Sequence, residues 1–142
     1  MMASLTADDK VAIIELISRF AHCSDYGDWA ALETLYTADV VTELEGHAIR
    51  YEGIADQIRH AQVSAEQTNG KNRHYFFNFL VGEADGAVIA EYFFLNVNAG
   101  AQPLTGQIVT SGRNRDTVER TPDGWKISRR FVRFDQSFDL DF

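Results

Sequence analysis

Cysteine and basic residues are scarce in this 142-residue chain, and each scarcity excludes a class of function. The single cysteine, Cys23, excludes an internal disulfide and leaves no cluster of thiolates for zinc. The 13 Lys and Arg residues stand against 21 Asp and Glu residues, giving a net charge of −8. This acidic balance argues against nucleic acid or an anionic membrane surface as a partner.

Long apolar runs and familiar catalytic motifs are also absent. No run approaches the roughly 18 residues that cross a membrane, and the N-terminal residues lack a charged-then-apolar signal pattern. We therefore expect a cytoplasmic protein. The patterns His-Glu-x-x-His and Gly-x-Ser-x-Gly and a phosphate-binding loop do not occur. We expect a mechanism that uses neither a metal nor any other cofactor.

Aromatic residues are plentiful by comparison. They make up 12% of the chain and include 10 Phe, which predicts an apolar pocket or a large subunit interface. A chain of this length predicts one domain, residues 1–142, around one hydrophobic core.

Hydrophobic periodicity predicts helices first and strands afterwards. We predict helices from the N-cap Thr6 to about Asp25, from Trp29 to Tyr36 and from about Ile54 to Thr68, a hairpin of Val40–Glu45 with Ala48–Tyr51, and strands near 73–83, 87–97, 105–119 and 125–135. This order is typical of an α+β domain with its helices on one face of the sheet. Because the strands are apolar on both faces, we expect a second copy to cover the outer face in a homodimer.

The strand Arg73–Val81 holds two polar residues in an apolar setting. Strict alternation places His74, Phe76, Asn78 and Leu80 on one face, and Tyr75, Phe77, Phe79 and Val81 on the other. An imidazole and an amide in an apolar surface need partners. Asp25, one helical turn beyond Ala21 at the edge of the apolar stripe of the first helix, is the candidate partner of His74.

The order of elements and four short segments resemble the SnoaL-like branch of the nuclear transport factor 2-like superfamily. The segments are Ser24-Asp25-Tyr26-Gly27-Asp28-Trp29, Leu35-Tyr36-Thr37-Ala38-Asp39-Val40, the strand from Arg73-His74 to Asn78, and Asp123-Gly124-Trp125-Lys126-Ile127. The resemblance implies a cone-shaped barrel, in which a curved, mainly antiparallel sheet wraps around three N-terminal helices and forms a deep pocket. It does not specify a reaction, because this fold hosts both enzymes and non-enzymatic subunits.

Within that family, the nearest chemistry resembles hexachlorocyclohexane dehydrochlorinase and scytalone dehydratase. Both use a histidine on the first long strand as a base, and in the dehydrochlorinase an aspartate at the end of the first helix orients it. The resemblance therefore implies an Asp25–His74 dyad that abstracts a proton. The chain departs from the dehydrochlorinase at Arg19-Phe20, where that enzyme has a lysine nearby on the first helix.

The dyad also has a physical basis of its own. A carboxylate bonded to one ring nitrogen of a neutral histidine fixes its tautomer and leaves the other nitrogen as a base. The predicted function is thus a cofactor-independent lyase or isomerase acting on a small hydrophobic, cyclic substrate. We predict that the pocket and substrate-binding residues are Tyr26, Tyr36, Phe76, Asn78, Tyr92, Arg113 and Arg129, with Asn78 donating to developing negative charge.

Several alternatives remain open. Asp25 could help Asp28 cap the second helix, His74 could be a core histidine bonded to backbone, and we interpret His22, His47 and His60 as solvated. The segment Trp125–Asp135 resembles the end of the small β subunit of ring-hydroxylating dioxygenases, which would favour a non-catalytic binding or assembly subunit. A polyketide-cyclase or ketosteroid-isomerase-like enzyme would instead use a carboxylate alone, with Asp116 and Tyr92 as candidates.

Overall fold

The computed structural model describes residues 4–98 and 107–135. Most of the connection that we predict at 98–103, and the first two residues of the strand predicted at 105–119, lie outside this part of the chain. The elements in order are α1 (Ala7–Tyr26), α2 (Trp29–Glu33), β1 (Tyr36–Leu44), β2 (Arg50–Glu52), α3 (Gly53–Gln67), β3 (Asn72–Ala84), β4 (Ala87–Asn98), β5 (Gln107–Thr121) and β6 (Gly124–Phe134).

The helix ends follow local capping signals. Thr6 and Asp9 form a capping box at the start of α1, where the Thr6 side chain accepts from the Asp9 amide at 3.0 Å. Gly27 ends α1 in the left-handed conformation, with φ 74°. Asp28 caps α2 by accepting from the Ala31 amide at 3.1 Å.

The second helix is shorter than predicted. It ends at Glu33, and Tyr36, which we predicted to be its last residue, opens β1 instead. Tyr36 is paired with Ile127 of β6, and the Ile127 amide donates to the Leu35 carbonyl at 2.8 Å. This long-range pairing outweighs the local helical pattern, because propensity is a weak determinant beside tertiary contacts.

The predicted α+β class is confirmed. Six strands form one mixed sheet in the order β2-β1-β6-β5-β4-β3, antiparallel except for the pairing of β1 with β6. The sheet is open, since β2 and β3 form its edges among the described strands. Its inner face packs on the helices through fully buried side chains, including Ile13, Ile17, Leu32, Val40 and Ile127. No helix in the described part of the chain combines the length and apolar character needed to cross a membrane.

A β-bulge in β3 overturns the strict alternation that we predicted for this strand. Phe77 pairs with Phe93 and Leu80 with Glu91, so β3 contains one residue more than β4 over this interval. Asn78 adopts φ 59° and is exposed. The bulge therefore exchanges the two faces: Phe79 packs against the core, whereas Leu80 is 72% exposed.

The correction changes the predicted site. Asn78 does not share a face with His74 but lies beside Leu80 on the outer side of the sheet. Asparagine suits the bulge because it tolerates the left-handed conformation better than most residues.

Substitutions at Asn78 should report on this conformation. Asn78→Val should lower the free energy of unfolding by about 1–2 kcal/mol, because a β-branched side chain is strained at positive φ. Asn78→Gly should match or exceed wild type, because glycine adopts φ 59° without strain. Urea unfolding followed by tryptophan fluorescence measures both. A valine variant as stable as the glycine variant would contradict the bulge.

Candidate functional site

Asp25 and His74 meet where the end of α1 lies against the start of β3. Asp25 Oδ2 accepts from the His74 backbone amide at 2.8 Å, and Asp25 Oδ1 lies 2.5 Å from His74 Nδ1. One carboxylate thus holds both the backbone and the ring of His74. In the neutral imidazole Nδ1 then carries the proton, and Nε2 is left with the lone pair.

Burial differs between the two members of this pair. The Asp25 side chain is 6% exposed and the His74 side chain 21% exposed. The carboxylate is therefore shielded from water, while the imidazole can be reached from the cavity that it lines. Phe20 and Phe76 flank the ring at centroid distances of 5.6 and 5.9 Å.

The structure decides between two interpretations of Asp25. Both of its carboxylate oxygens bond to His74, and the side chain that caps α2 is Asp28. The capping role that we considered for Asp25 is therefore wrong. His74 is likewise not a histidine whose ring bonds to backbone, since its Nδ1 partner is a carboxylate.

Arg73 fastens the two segments that carry the dyad. Its Nη1 donates to the carbonyls of Asp25 at 3.3 Å, Gly70 at 3.0 Å and Asn72 at 2.7 Å. The guanidinium lies 4.4 Å from the centroid of the Tyr26 ring. Tyr26, which we predicted to be a pocket residue, is 73% exposed, does not line the cavity beside His74 and covers Arg73.

A cavity of about 280 Å³ opens beside His74, between the helices and the inner face of the sheet. Tyr36 and Phe76 line it, as predicted, together with Phe20, Phe94 and Phe134. Its polar lining includes Thr42, Gln57, His60, Asn96, Thr110, Asn114 and Arg130. A concave enclosure that combines aromatic side chains with polar groups is typical of sites for small organic molecules.

A larger concave region, of about 530 Å³, lies on the outer face of the sheet, away from the dyad. Asn78, Tyr92 and Arg113, three of our predicted site residues, line this outer region. Arg129 also points away from the cavity, and it pairs with Glu43 at 2.8 Å. Asn78, Arg113 and Arg129 therefore lie outside the lining of the cavity beside His74. The cavity beside His74 is the better candidate, because it alone of these two regions is lined by a member of the dyad, His74.

The arginine that does reach the cavity is Arg130. A register shift between β5 and β6 places Thr117 opposite Arg129 and Val118 opposite Ile127, so Ser128 is an extra residue. Ile127 and Arg130 therefore both face inward although they are three positions apart. The alternation of Arg130, Val132 and Phe134 was the signal that could have identified this arginine, since all three line the cavity.

Behind the cavity wall, Arg130 belongs to a buried polar cluster with Tyr92, Asn114 and Asp116. The Tyr92 hydroxyl donates to Asp116 Oδ2 at 2.6 Å and accepts from Arg130 Nη2 at 2.8 Å and Asn114 Nδ2 at 3.0 Å. Arg130 also lies 3.4 Å from the Asp116 carboxylate, and its guanidinium lies 3.9 Å from the Phe20 centroid. Each of the four residues thus makes at least one hydrogen bond or ion pair within the cluster.

Burial controls the ionisation of this cluster. Removal from water raises the pKa of the Asp116 carboxyl, against the opposing charge of Arg130. Burial also raises the pKa of Tyr92, and it raises that of Tyr36, which lines the cavity, to about 12. Asp116 is fully buried and does not line the cavity, which removes it as a base for substrate. Tyr92 is likewise absent from the lining of this cavity.

His60 is another residue of the site that sequence reasoning missed. We interpreted it as solvated, but it is partly buried, lines the cavity and stacks on Tyr51 at 4.1 Å. Burial, with smaller effects from nearby Arg59, His74 and Arg130, lowers the pKa of His60 from 6.5 to about 4. The imidazole is therefore neutral at neutral pH.

Metal ligation finds no support in the described ranges. Among residues 4–98 and 107–135, no three His, Cys, Asp or Glu side chains converge as a metal site would require.

Comparison with known families identifies the architecture. A family model for the SnoaL-like domain matches residues 5–131 of this chain. The chain belongs to the SnoaL-like domain family. Its structural neighbours place this family member in the nuclear transport factor 2-like superfamily. None of the curated proteins matches the chain.

Solved structures share the fold of this SnoaL-like chain. An NTF2-like protein with a cystatin-like fold from Novosphingobium aromaticivorans is 25% identical, with a TM-score of 0.79 over 92% of this chain and 84% of that one. Aln2 from a Streptomyces species is 21% identical, with a TM-score of 0.82 over 94% and 95%. ActVI-ORFA from Streptomyces coelicolor is 18% identical, with a TM-score of 0.78 over 89% and 96%. The two Streptomyces structures establish a common fold and nothing about the reaction.

Acid should destabilise the protein through His60. Between pH 6.5 and about 4 the unfolded chain binds a proton at this residue and the folded chain does not. The free energy of unfolding should therefore fall by up to about 3 kcal/mol from this residue as the pH drops from 6.5 to about 4.

His60→Phe keeps a ring against Tyr51 but binds no proton, so its free energy of unfolding should fall less across the same window. Urea unfolding at a series of pH values measures the difference. His22→Gln removes an exposed imidazole and serves as the control, and it should follow wild type. Equal acid sensitivity of wild type and His60→Phe would contradict the burial of a neutral imidazole.

Proposed function

We propose that this chain is a cofactor-independent lyase or isomerase that acts on a small hydrophobic, cyclic substrate. His74 is the base, and Asp25 is the group that orients it. The observation that carries the proposal is the double contact of the Asp25 carboxylate with the amide and Nδ1 of His74, beside an aromatic cavity. A carboxylate–imidazole pair with one free ring nitrogen is a general base whose protonated form is stabilised by its partner.

The proposed reaction begins when His74 Nε2 takes a proton from a carbon of the bound substrate. In an elimination, the electron pair of that C–H bond forms a double bond while the leaving group departs with its own pair. In an isomerisation, the proton returns from the imidazolium to a different carbon. Asp25 stabilises the imidazolium in both cases.

Arg130 is the proposed electrostatic partner of this step. It lines the cavity as a buried cation, and its position is fixed by Tyr92 and Asp116. Negative charge that develops on the substrate would be stabilised by a cation already held in place. Arg130 thus takes the role that we first predicted for Asn78.

Two alternatives receive less support from the same geometry. The carboxylate-only mechanism of a polyketide-cyclase or ketosteroid-isomerase-like enzyme needs a carboxylate that meets substrate, whereas Asp116 is fully buried behind the wall. A purely structural subunit has no need for a carboxylate-bound histidine in a reachable cavity. Two resemblances are part of this proposal: that of the dyad to hexachlorocyclohexane dehydrochlorinase, and that of His74 to the histidine base of scytalone dehydratase.

Removal of either dyad member should abolish proton transfer. The exchange of the α-protons of tetralone and of cyclic hydroxyketones with solvent deuterium, followed by proton NMR, measures this step without knowledge of the natural substrate. His74→Ala and Asp25→Asn should each slow exchange by about 10²–10⁴-fold. Thermal unfolding should show that both variants remain folded.

The control for this experiment is Asn78→Gly, on the outer sheet face, which should exchange at the wild-type rate. Undiminished exchange in either dyad variant would contradict the proposed mechanism. Failure of the wild-type chain to exchange any of the probes would contradict it as well.

We further propose that the partner of this chain is a second copy bound through the outer sheet face. Four large side chains of β3 and β4 are exposed there: Tyr75, Phe77, Leu80 and Phe93. Contiguous apolar patches on a surface mark interaction sites. Charges of both signs border the patch, including Arg115 and Glu91, so the face can complement itself across a two-fold axis.

Sedimentation equilibrium tests this partner. The wild-type chain should sediment at twice its 16.0 kDa mass, and Leu80→Glu should sediment as a monomer, because a charge at the centre of an apolar interface is unpaired. A monomeric wild type, or purification only together with a different chain, would contradict the homodimer and favour an assembly subunit.

A further inference from the structure

Two asparagine side chains line the cavity with an unsatisfied oxygen each. Asn96 lies on β4 and Asn114 on β5, and both belong to the cavity wall. Asn96 Oδ1 and Asn114 Oδ1 are buried and have no hydrogen-bond partner. Buried acceptors of this kind cost free energy, and each one calls for an explanation.

The orientation of the Asn114 amide is fixed by its neighbours. The Tyr92 hydroxyl has a single proton, which it donates to Asp116, so its oxygen can only accept from Arg130 and Asn114. A reversed amide would place the Asn114 oxygen against the Tyr92 oxygen with no proton between them. Nδ2 must therefore face Tyr92, and Oδ1 remains an acceptor without a donor.

Asn96 is not constrained in this way. Its Nδ2 donates to Thr110 Oγ1 at 3.0 Å, but a threonine hydroxyl can donate as well as accept. The Asn96 amide can turn over and keep a bond to Thr110. Of the two asparagines, Asn114 is consequently the one whose amide orientation is determined by its neighbours.

We infer that the ligand of this cavity carries a hydroxyl group that donates to Asn114 Oδ1. The inference rests on the proposed function, and it narrows the substrate class to hydroxylated ring compounds. A carboxylate has no proton to donate and would be repelled by the amide oxygen, whereas an alcohol or phenol supplies the missing bond. Asn114 is 5% exposed, so the hydroxyl must sit against the wall and the amide must turn slightly toward it.

This assignment gives the cavity two polar contacts with different tasks. His74 Nε2 takes the proton, and Asn114 selects the substrate by its hydroxyl. A site built to bond a hydroxyl rejects the analogue that lacks it, because a buried polar group is then left unpaired. Asn114 is therefore a specificity-determining residue in this inference, distinct from the dyad.

Calorimetric binding of naphthol and methoxynaphthalene tests the inference directly. The two probes share a ring system, but the methyl ether has no proton to donate. The wild-type chain should bind naphthol about tenfold more tightly, the effect of one buried hydrogen bond. The greater apolar surface of the ether works against this preference, so the comparison is conservative.

Variants separate Asn114 from the dyad. Asn114→Leu, of similar volume, should bind both probes equally. Tyr92→Phe frees the Asn114 amide to turn over, so the preference for naphthol should fall toward unity even though Asn114 is retained. His74→Ala should keep the preference, and Asn78→Gly, outside the cavity, should keep it as well. Thermal unfolding identifies the variants that fold, and Tyr92→Phe serves if Asn114→Leu does not.

The outcomes distinguish this inference from the proposed reaction. Equal binding of the two probes by wild type would overturn it, as would a preference that survives in Asn114→Leu. A preference lost in His74→Ala and kept in Asn114→Leu would assign the hydroxyl to His74 and overturn it too. A preference that depends on Asn114, in a chain that catalyses no proton exchange, would support the inference while the proposed reaction fails.

Discussion

The carboxylate of Asp25 is the constraint on which the rest of the site depends. It bonds to the backbone amide as well as the ring of His74, so it fixes the start of β3 and the tautomer of the imidazole at once. A hydrogen bond to the ring alone would leave the strand free to shift relative to α1. Arg73 adds carbonyl contacts on both sides of this junction, which makes the junction a structural unit as well as a chemical one.

The second determinant is the cluster of Tyr92, Asn114, Asp116 and Arg130. Placing an arginine at the wall of an apolar cavity requires a counter-charge, and Asp116 supplies it from a position without solvent exposure. The polar groups are thereby balanced against one another before any ligand arrives. Asn114 Oδ1 is the acceptor of this cluster without a donor, and in our inference it makes the cavity prefer ligands that carry a hydroxyl.

Local signals predicted much of the fold and part of the site. Thr6, Gly27 and Asp28 marked helix ends, and helical periodicity placed Asp25 at the edge of the apolar stripe of α1, because both features depend on short stretches of chain. The order of elements and the family resemblance then implied that Asp25 meets His74. Arg130 and the outward position of Asn78 were missed for one physical reason. Each follows a single extra residue in a strand, and the partner strand that defines such an insertion is distant in sequence.

The bulge at Asn78 also divides β3 into two segments whose inward side chains have different surroundings. Before the bulge, the alternate residues His74 and Phe76 line the cavity. Beyond the bulge, the inward side chains pack against the core, and Leu80 lies on the outer face. A shortening of the strand by that one residue would invert everything after it, and Phe79 and Val81 would exchange environments with their neighbours. Substitutions in the cavity-lining segment of β3 and substitutions in its outer-face segment can therefore be made independently during evolution, provided that the extra residue is kept.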